Sequence, residues 1–283
     1  YSINDIAHIT YIGLTKETLK GMIINMKISE LLNQEKATLS FEVFPPKKDT
    51  DFENVERAAS DIAALHPSYM SVTYGAGGGT SKNTVKIASH IKDKYNVPSL
   101  AHLTCVSSTK EEVHQVIDQL KASGIENILA LRGDIPQESE FPLPNHYQYA
   151  YELIEDIKSQ GDFCIGAACY PEGHVESEHK KDDIAHLKQK VDCGVDFLTT
   201  QMFFDNSVYY DFVENGIKVE YTVIESLKNE YLRINYMDME SQKILFALST
   251  PMEIRNECCL PSHSSPKMYL GTCFFDLSSS WGI

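Results

Sequence analysis

The sequence predicts an α/β protein, a TIM-type (β/α)8 barrel that is either complete or incomplete at its C-terminal end. Six strand-like segments start near residues 39, 69, 99, 127, 163 and 197, each followed by a helical pattern. Their spacing of 28–36 residues is that of one strand with its crossover helix, which implies a parallel sheet. Polar pairs two residues apart recur at the strand ends: Ser40/Glu42, Ser71/Thr73, His102/Thr104 and Thr199/Gln201. Each pair shares one face, which favours converging barrel strands over an open sheet.

The first three units follow from turn and capping signals. The first strand, residues 39–44, ends at Pro45 because proline cannot donate to a ladder. Thr50 and Glu53 have the spacing of a capping box, and one helical face then carries Phe52, Val55, Ala59, Ile62 and Leu65. The second strand covers residues 69–74, before a glycine-rich turn at 75–79, and the third covers 99–105.

The next units are predicted in the same way. A capping box of Ser108 and Glu111 is expected to open the helix that ends at Gly124, a left-handed cap. The fourth strand covers residues 127–131 and is followed by a helix at 147–160. The fifth strand covers residues 163–169 and is followed by a helix that stops at Gly194. The sixth strand covers residues 197–203, and residues 208–214 begin the next helix.

Three regions are expected along the chain. Residues 1–25 read as an N-terminal extension without clear periodicity, and residues 26–220 carry the barrel units. Residues 221–283 form an atypical C-terminal segment with no recognisable seventh or eighth strand–loop–helix unit. An irregular C-terminal cap and a change of reading frame after about residue 220 are both open explanations of this segment.

Composition narrows the functional classes. A net charge of −15 argues against general affinity for nucleic acid or anionic membranes, and no apolar run approaches the about 18 residues of a membrane helix. Seven cysteines without a C-x-x-C pair indicate reduced thiols and a cytoplasmic protein. His102 and Cys105 have no further ligands at zinc spacing, so no metal site is predicted. The composition is compatible with a homo-oligomer and does not decide the oligomeric state.

Glu42, near the end of the first strand, is the candidate catalytic acid. A carboxyl group that points into an enclosed site resists ionisation and can hold a proton near neutral pH. The alternative is a solvated residue on an edge strand. In a barrel, the same mouth would hold further polar side chains: His102, Arg132, Asp134, Tyr170, His174 and Gln201.

Six motifs resemble, in order and spacing, those of bacterial methylenetetrahydrofolate reductases. They are SFEVFPP (40–46), SVTYGA (71–76), HLTC (102–105), ALRGD (130–134), ACYPEGH (168–174) and TQMFFD (200–205). The resemblance covers residues 26–220. It implies a TIM barrel that binds FAD and passes a hydride from NADH or NADPH to 5,10-methylenetetrahydrofolate. The product, 5-methyltetrahydrofolate, would feed methionine synthesis.

The resemblance also implies roles for individual residues. Glu42 matches the general acid, Asp134 matches an acid near flavin and folate that favours a cationic iminium, and Gln201 matches a folate ligand. The positions that match FAD contacts are Thr73, Tyr74, Ala76, His102, Arg132, Gly133, Asp134, Tyr149, Ala150, Tyr170, His174, Asp183, His186 and Lys190. Arg132 and Lys190 would be the cations available to the pyrophosphate.

Two departures from the family pattern keep alternatives open. His186 and Gln189 stand where the pattern often has Asn and Arg, and the Pro-Gly-containing end of the family's seventh strand is absent after residues 216–220. Three functions therefore remain: an active reductase, a truncated or frame-shifted inactive relative, and another folate-binding TIM-barrel enzyme such as a methyltransferase.

Overall fold

The computed structural model describes residues 26–33, 38–46, 52–74, 81–135 and 143–212, with the backbone of four short strands beyond them. The helices are α1 (Ile28–Leu32), α2 (Phe52–Ala63), α3 (Ser81–His90), α4 (Lys110–Ala122), α5 (Ala150–Gln160), α6 (Lys180–Asp192) and α7 (Asn206–Asp211), and a π-helical turn, Ile91–Tyr95, continues α3. The strands are β1 (Thr38–Val43), β2 (Tyr69–Val72), β3 (Ser99–Thr104), β4 (Asn127–Leu131), β5 (Cys164–Cys169), β6 (Phe197–Thr200), β7 (Tyr231–Ile234), β8 (Leu248–Ser249), β9 (Met268–Leu270) and β10 (Cys273–Phe274).

One curled, mostly parallel sheet organises the molecule. Strands β1 to β6 pair in chain order and all in parallel, so their carboxyl ends lie at one end of the sheet. β7 and then β9 extend the β6 side in parallel, while β10 pairs in parallel with β1, and β8 pairs with β1 antiparallel. In the described part of the chain, no pairing joins β9 to β10. The predicted parallel α/β barrel is confirmed, in an incomplete form.

Two hydrophobic cores lie on the two faces of this sheet, because successive strand residues point to opposite sides. The outer core fills the space between strands and helices and includes Phe41, Val72, Leu103, Ile128 and Ile165. The inner core lies inside the curl and combines Tyr69, Leu100, Leu129 and Phe197 with Ile28 and Leu32 of α1. Helix α1 therefore closes the end of the barrel opposite to the strand carboxyl ends.

Several predicted boundaries shift in the structure. Helix α4 begins after Thr109, whose Oγ1 accepts the Glu112 N–H at 3.2 Å, so the predicted box of Ser108 and Glu111 is wrong by one residue. Helix α5 begins at Ala150 rather than at 147, and α7 ends at Asp211. Strands β2, β3 and β6 end one to three residues earlier than predicted. The residues that follow them are the ones that reach the mouth of the barrel.

One predicted core position is also wrong. Val55, Ala59 and Ile62 of α2 are buried as expected, but Leu65 is 58% exposed because the helix ends at Ala63. The predicted left-handed cap at Gly124 is confirmed, with φ of +62°. Gly194, the predicted stop of α6, also has a positive φ, of +98°. The expected N-terminal extension at residues 1–25, the capping residue Thr50 and the turn at 75–79 lie outside the described residues.

Short strands follow residue 220, where the sequence shows no recognisable seventh or eighth strand–loop–helix unit. β7 pairs with β6 at Leu198↔Leu232, and β9 and β10 extend the two edges of the sheet. These strands have two to four residues each, which is too short for alternation to identify them. No helix in the described ranges is both long and apolar enough to cross a membrane.

Candidate active site at the carboxyl ends of the strands

A cavity of about 670 Å³ opens where β4, β5 and β6 end. Most of the predicted site residues line it: Tyr74, Arg132, Gly133, Asp134, Tyr149, Ala150, Tyr170, His174, Asp183, His186, Lys190 and Gln201. Thr104, which belongs to one of the predicted polar pairs, also lines the cavity, and Tyr151, Glu176 and Ser177 are wall residues that no sequence pattern indicated. Of the described residues that were predicted for the site, Glu42, Thr73 and His102 are not part of this wall, and Ala76 lies outside the described residues.

Glu42 lies inside the barrel in a polar group that spans three neighbouring strands. Its side chain is 6% exposed, and it is the register partner of Ser71 on β2. The Ser71 hydroxyl donates to Glu42 Oε2 at 3.1 Å, and His102 Nε2 of β3 lies 3.3 Å from the same oxygen. Because β1 is paired on both sides, the alternative of a solvated acid on an edge strand is wrong.

Arg132, directly after β4, is held in a fixed orientation by a carboxylate. Its Nη1 and Nη2 donate to the two oxygens of Glu176 at 2.5 and 2.6 Å, and its Nε donates to the Gly133 carbonyl at 3.2 Å. The hydrogen bonds to Glu176 raise the pKa of Arg132 and, in return, lower the pKa of Glu176. Glu176 follows His174 in an irregular loop, where no periodicity could have marked it as a partner of Arg132.

Lys190, in the last turn of α6, brings a second cation to the cavity. Its Nζ donates to the Ala168 carbonyl at 2.9 Å and lies 5.7 Å from the centre of the Tyr170 ring. Burial of the ammonium group lowers the pKa of Lys190, and burial raises the pKa of the nearby Asp183 carboxyl, with Lys190 opposing that rise. A lysine whose charge is poorly solvated is stabilised by a bound anion.

Aromatic rings form the outer part of the wall. Tyr149 stacks on Tyr151 at a centroid distance of 5.8 Å and on His186 at 6.4 Å, with interplanar angles of 12° and 23°. Deeper in the cavity, the Tyr170 ring meets the His174 ring edge to face at 4.6 Å. Flat aromatic faces of this kind suit a ligand with planar ring systems.

Gly133 allows the end of β4 to approach β3 closely. Its φ of +86° lies in the left-handed region, and a Cβ on it would come within 3.1 Å of Thr104 Cβ and 3.2 Å of Val106 Cγ1. Any side chain here would strain the backbone and crowd both neighbours. Gly133 matches an FAD-contact position of the family, and the backbone geometry alone already requires a glycine here.

The polar groups of this region fit a large anionic ligand with flat rings. Thr199 Oγ1 is buried and has no hydrogen-bond partner among the described residues, and Lys190 uses one of its three donors on protein there. The cavity volume lies in the range of about 300–1,000 Å³ that is typical of cofactor sites. The fold and the site thus define an α/β-barrel protein with a ligand cavity at the carboxyl ends of its strands.

Comparison with known proteins gives the family. The sequence model described as methylenetetrahydrofolate reductase matches residues 27–242. The chain belongs to the methylenetetrahydrofolate reductase family. This result confirms the resemblance that the six motifs indicated.

Individual relatives agree with this placement. The 5,10-methylenetetrahydrofolate reductase of Pectobacterium carotovorum subsp. carotovorum is 37% identical over 70% of this chain and 65% of its own length. Methylenetetrahydrofolate reductase (NADH) 1 of Zea mays is 35% identical over 67% of this chain and 34% of its own length. The chain thus spans less than two thirds of the length of these relatives.

A solved structure of oxaloacetate acetylhydrolase in complex with the inhibitor 3,3-difluorooxalacetate shares the fold. Its TM-score is 0.50 at 13% identity, over 77% of this chain and 73% of that chain. At this level of identity the likeness concerns the fold alone.

Proposed function

We propose that this protein reduces 5,10-methylenetetrahydrofolate to 5-methyltetrahydrofolate, with NADH or NADPH as electron donor and FAD as the bound cofactor. Membership of the methylenetetrahydrofolate reductase family supports this reaction, and the plant relative named for NADH supports a nicotinamide donor. The observation that carries the proposal is the buried carboxyl group of Glu42, at the same end of the barrel as the cavity with Asp134 and Gln201. The product would feed methionine synthesis.

The residues that would hold FAD are those of the cavity. Arg132 and Lys190 supply the cations for its pyrophosphate, in a chain whose net charge is otherwise −15. The stacked rings of Tyr149 and His186 supply flat faces for the adenosine end. FAD held by these residues would supply the hydride transfer between the nicotinamide and the folate.

Glu42 would serve as the general acid toward the folate. The five-membered ring of the substrate opens to an iminium ion only when a ring nitrogen gains a proton, and burial favours the protonated form of a carboxyl group, which can supply it. Asp134, as an exposed carboxylate on the cavity wall, would stabilise the cationic iminium. The Gln201 amide, directly after β6, would hydrogen-bond the pterin ring.

The experiment that tests this function follows the flavin spectrum of the purified protein under anaerobic conditions. We expect a bound flavin that NADH or NADPH bleaches and that 5,10-methylenetetrahydrofolate then reoxidises. A flavin that is not bleached, or is bleached and not reoxidised, contradicts the active reductase and favours the inactive relative. Protein that binds no flavin contradicts both and favours another folate-binding enzyme such as a methyltransferase.

Two glutamate variants test whether Glu42 is the general acid. Glu42→Gln is expected to slow reoxidation by the folate at least about a hundredfold, the usual contribution of a general acid. The matched control is Glu111→Gln, which changes an exposed carboxylate in the first turn of α4. Equal reoxidation rates in both variants would contradict the role of Glu42.

A further inference from the structure

We infer that Ser71 is a positioning residue for the catalytic acid, which it holds together with His102; this inference rests on the proposed role of Glu42. Ser71 and Glu42 are register partners on β2 and β1, and both side chains are buried inside the barrel. The Ser71 Oγ–Glu42 Oε2 distance is 3.1 Å and the His102 Nε2–Glu42 Oε2 distance is 3.3 Å. A hydroxyl donor on β2 and an imidazole nitrogen on β3 thus lie against the same carboxyl oxygen.

A hydroxyl group suits this position because it can serve both protonation states of the acid. While Glu42 is ionised, the Ser71 O–H donates to Oε2. While Oε1 carries the proton, Oε2 is the carbonyl oxygen and still accepts from the Ser71 O–H, so the proton stays available to the folate. Ser71 can therefore keep the carboxyl group oriented before and after proton transfer.

The contacts also favour the transfer itself. When the Glu42 O–H bond breaks and an N–H bond forms on the folate, a buried carboxylate remains. Ser71 then donates to that carboxylate and stabilises its charge, and His102 Nε2 lies 3.3 Å from the same oxygen. Loss of the Ser71 hydroxyl leaves the new charge with fewer donors, which raises the barrier.

A purely structural hydroxyl would behave differently, and β3 offers a matched control. Ser99 is 2% exposed and Ser71 is fully buried, and the Ser99 hydroxyl donates to the Ala88 carbonyl at 2.8 Å, away from Glu42. Ser71→Ala and Ser99→Ala remove the same group from two similarly buried sites. Thermal unfolding of both variants shows the shared cost of losing a buried hydrogen bond.

The test compares flavin reoxidation by 5,10-methylenetetrahydrofolate in stopped flow. Ser71→Ala is expected to slow reoxidation about tenfold relative to Ser99→Ala, the effect of one hydrogen bond to a charged group. In the Glu42→Gln background, Ser71→Ala is expected to cause no further loss, because Ser71 acts through Glu42. Equal rates for the two serine variants, or a tenfold loss that persists in that background, would overturn the inference.

An infrared measurement separates this inference from the proposed function. The carboxyl C=O stretch that disappears in Glu42→Gln marks the protonated acid, and it is expected to shift in Ser71→Ala but not in Ser99→Ala. An unshifted band overturns the positioning role even if the enzyme is an active reductase. A shifted band without any folate reduction supports the contact and contradicts the proposed function instead.

Discussion

Lys190 shows how a single side chain prepares the cavity for an anion. Its ammonium group lines the cavity, and burial lowers its pKa because the charge is poorly solvated. A bound phosphate would offset this desolvation of the charge. Lys190→Met is expected to weaken FAD binding about 10- to 100-fold, the loss of one hydrogen bond between charged groups. Fluorescence titration of the apoprotein measures this affinity.

The control is Lys188→Met, which changes a lysine of the same helix that pairs with Asp192 at 2.8 Å. Affinity in this variant is expected to stay within about twofold, since an exposed pair contributes little. The affinity of the unsubstituted protein is also expected to fall as the pH rises through the lowered pKa of Lys190, because the cation is lost. Equal FAD affinity in the two variants would refute the assignment.

Glu176 places a negative charge beside the proposed pyrophosphate site. Its carboxylate accepts hydrogen bonds from both terminal nitrogens of Arg132. An anionic ligand must therefore compete with Glu176 for the guanidinium group and is also repelled by its negative charge. Glu176→Gln is expected to tighten FAD or inorganic pyrophosphate binding about threefold to fivefold, and added salt should reduce the difference. Weaker binding in calorimetry would show instead that Glu176 is needed to orient the guanidinium group. The matched control is Glu178→Gln in the same loop.

At the level of elements, the start of α4 allows a test of which residue pair caps the helix, Thr109 with Glu112 or Ser108 with Glu111. Glu112 accepts from the Thr109 backbone N–H at 2.8 Å, whereas the sequence also offered Ser108 with Glu111. Glu112→Ala is expected to lower the free energy of unfolding by about 0.5–1 kcal/mol, and Glu111→Ala by clearly less. Urea denaturation of both variants measures the difference, and equal losses would contradict the observed register.

The same contact predicts a pH dependence. The Thr109 backbone N–H lowers the pKa of Glu112 below its value in the unfolded chain. Its contribution to stability is therefore fully present above about pH 4.3 and is lost as the pH falls through the lowered pKa. The stability gap between the protein and Glu112→Ala should shrink in acid, and a gap that widened there would contradict this assignment.

Element types were more predictable from sequence than element ends. Alternation in β1 and the helical face of α2 were sufficient to identify both elements, because each repeats a pattern several times. The start of α4 could not be chosen, since Ser108 and Thr109 both precede a glutamate by three residues. Strand β7 could not be recognised because four residues gain their strand geometry from pairing with β6.

At the scale of the whole molecule, Gly166 tests the packing of the barrel interior. A Cβ at this position would lie 2.4 Å from Phe197 Cζ and 3.0 Å from Leu129 Cδ1. Gly166→Ala is expected to lower the free energy of unfolding by about 1–3 kcal/mol through overpacking, as measured by urea denaturation. Phe197→Leu in the same chain should recover part of this loss, and a double variant less stable than both single variants would contradict the contact.

The pairing of β6 with β7 gives a test of the sheet itself. A strand that is paired on both sides has its amides bonded in both directions, whereas an edge strand leaves alternate amides to solvent. Amides of β6 are therefore expected to exchange with solvent as slowly as those of β4. Hydrogen exchange measured by NMR provides the comparison, and rapid exchange at alternate β6 amides would show that β7 does not pair there.

By itself, the sequence determined the parallel α/β class, the six successive units and the family, because period, spacing and motif order are properties of the chain alone. Because residues after parallel strands must meet at one end of the sheet, it also predicted wall residues such as Arg132, Tyr170 and Gln201, while the family resemblance supplied those on helices, such as Lys190. Only the tertiary structure decided that Ser71 and His102 hold Glu42 and that Glu176 binds Arg132. These contacts join residues 29 to 60 positions apart, and they depend on strand register and loop course, which local sequence does not encode.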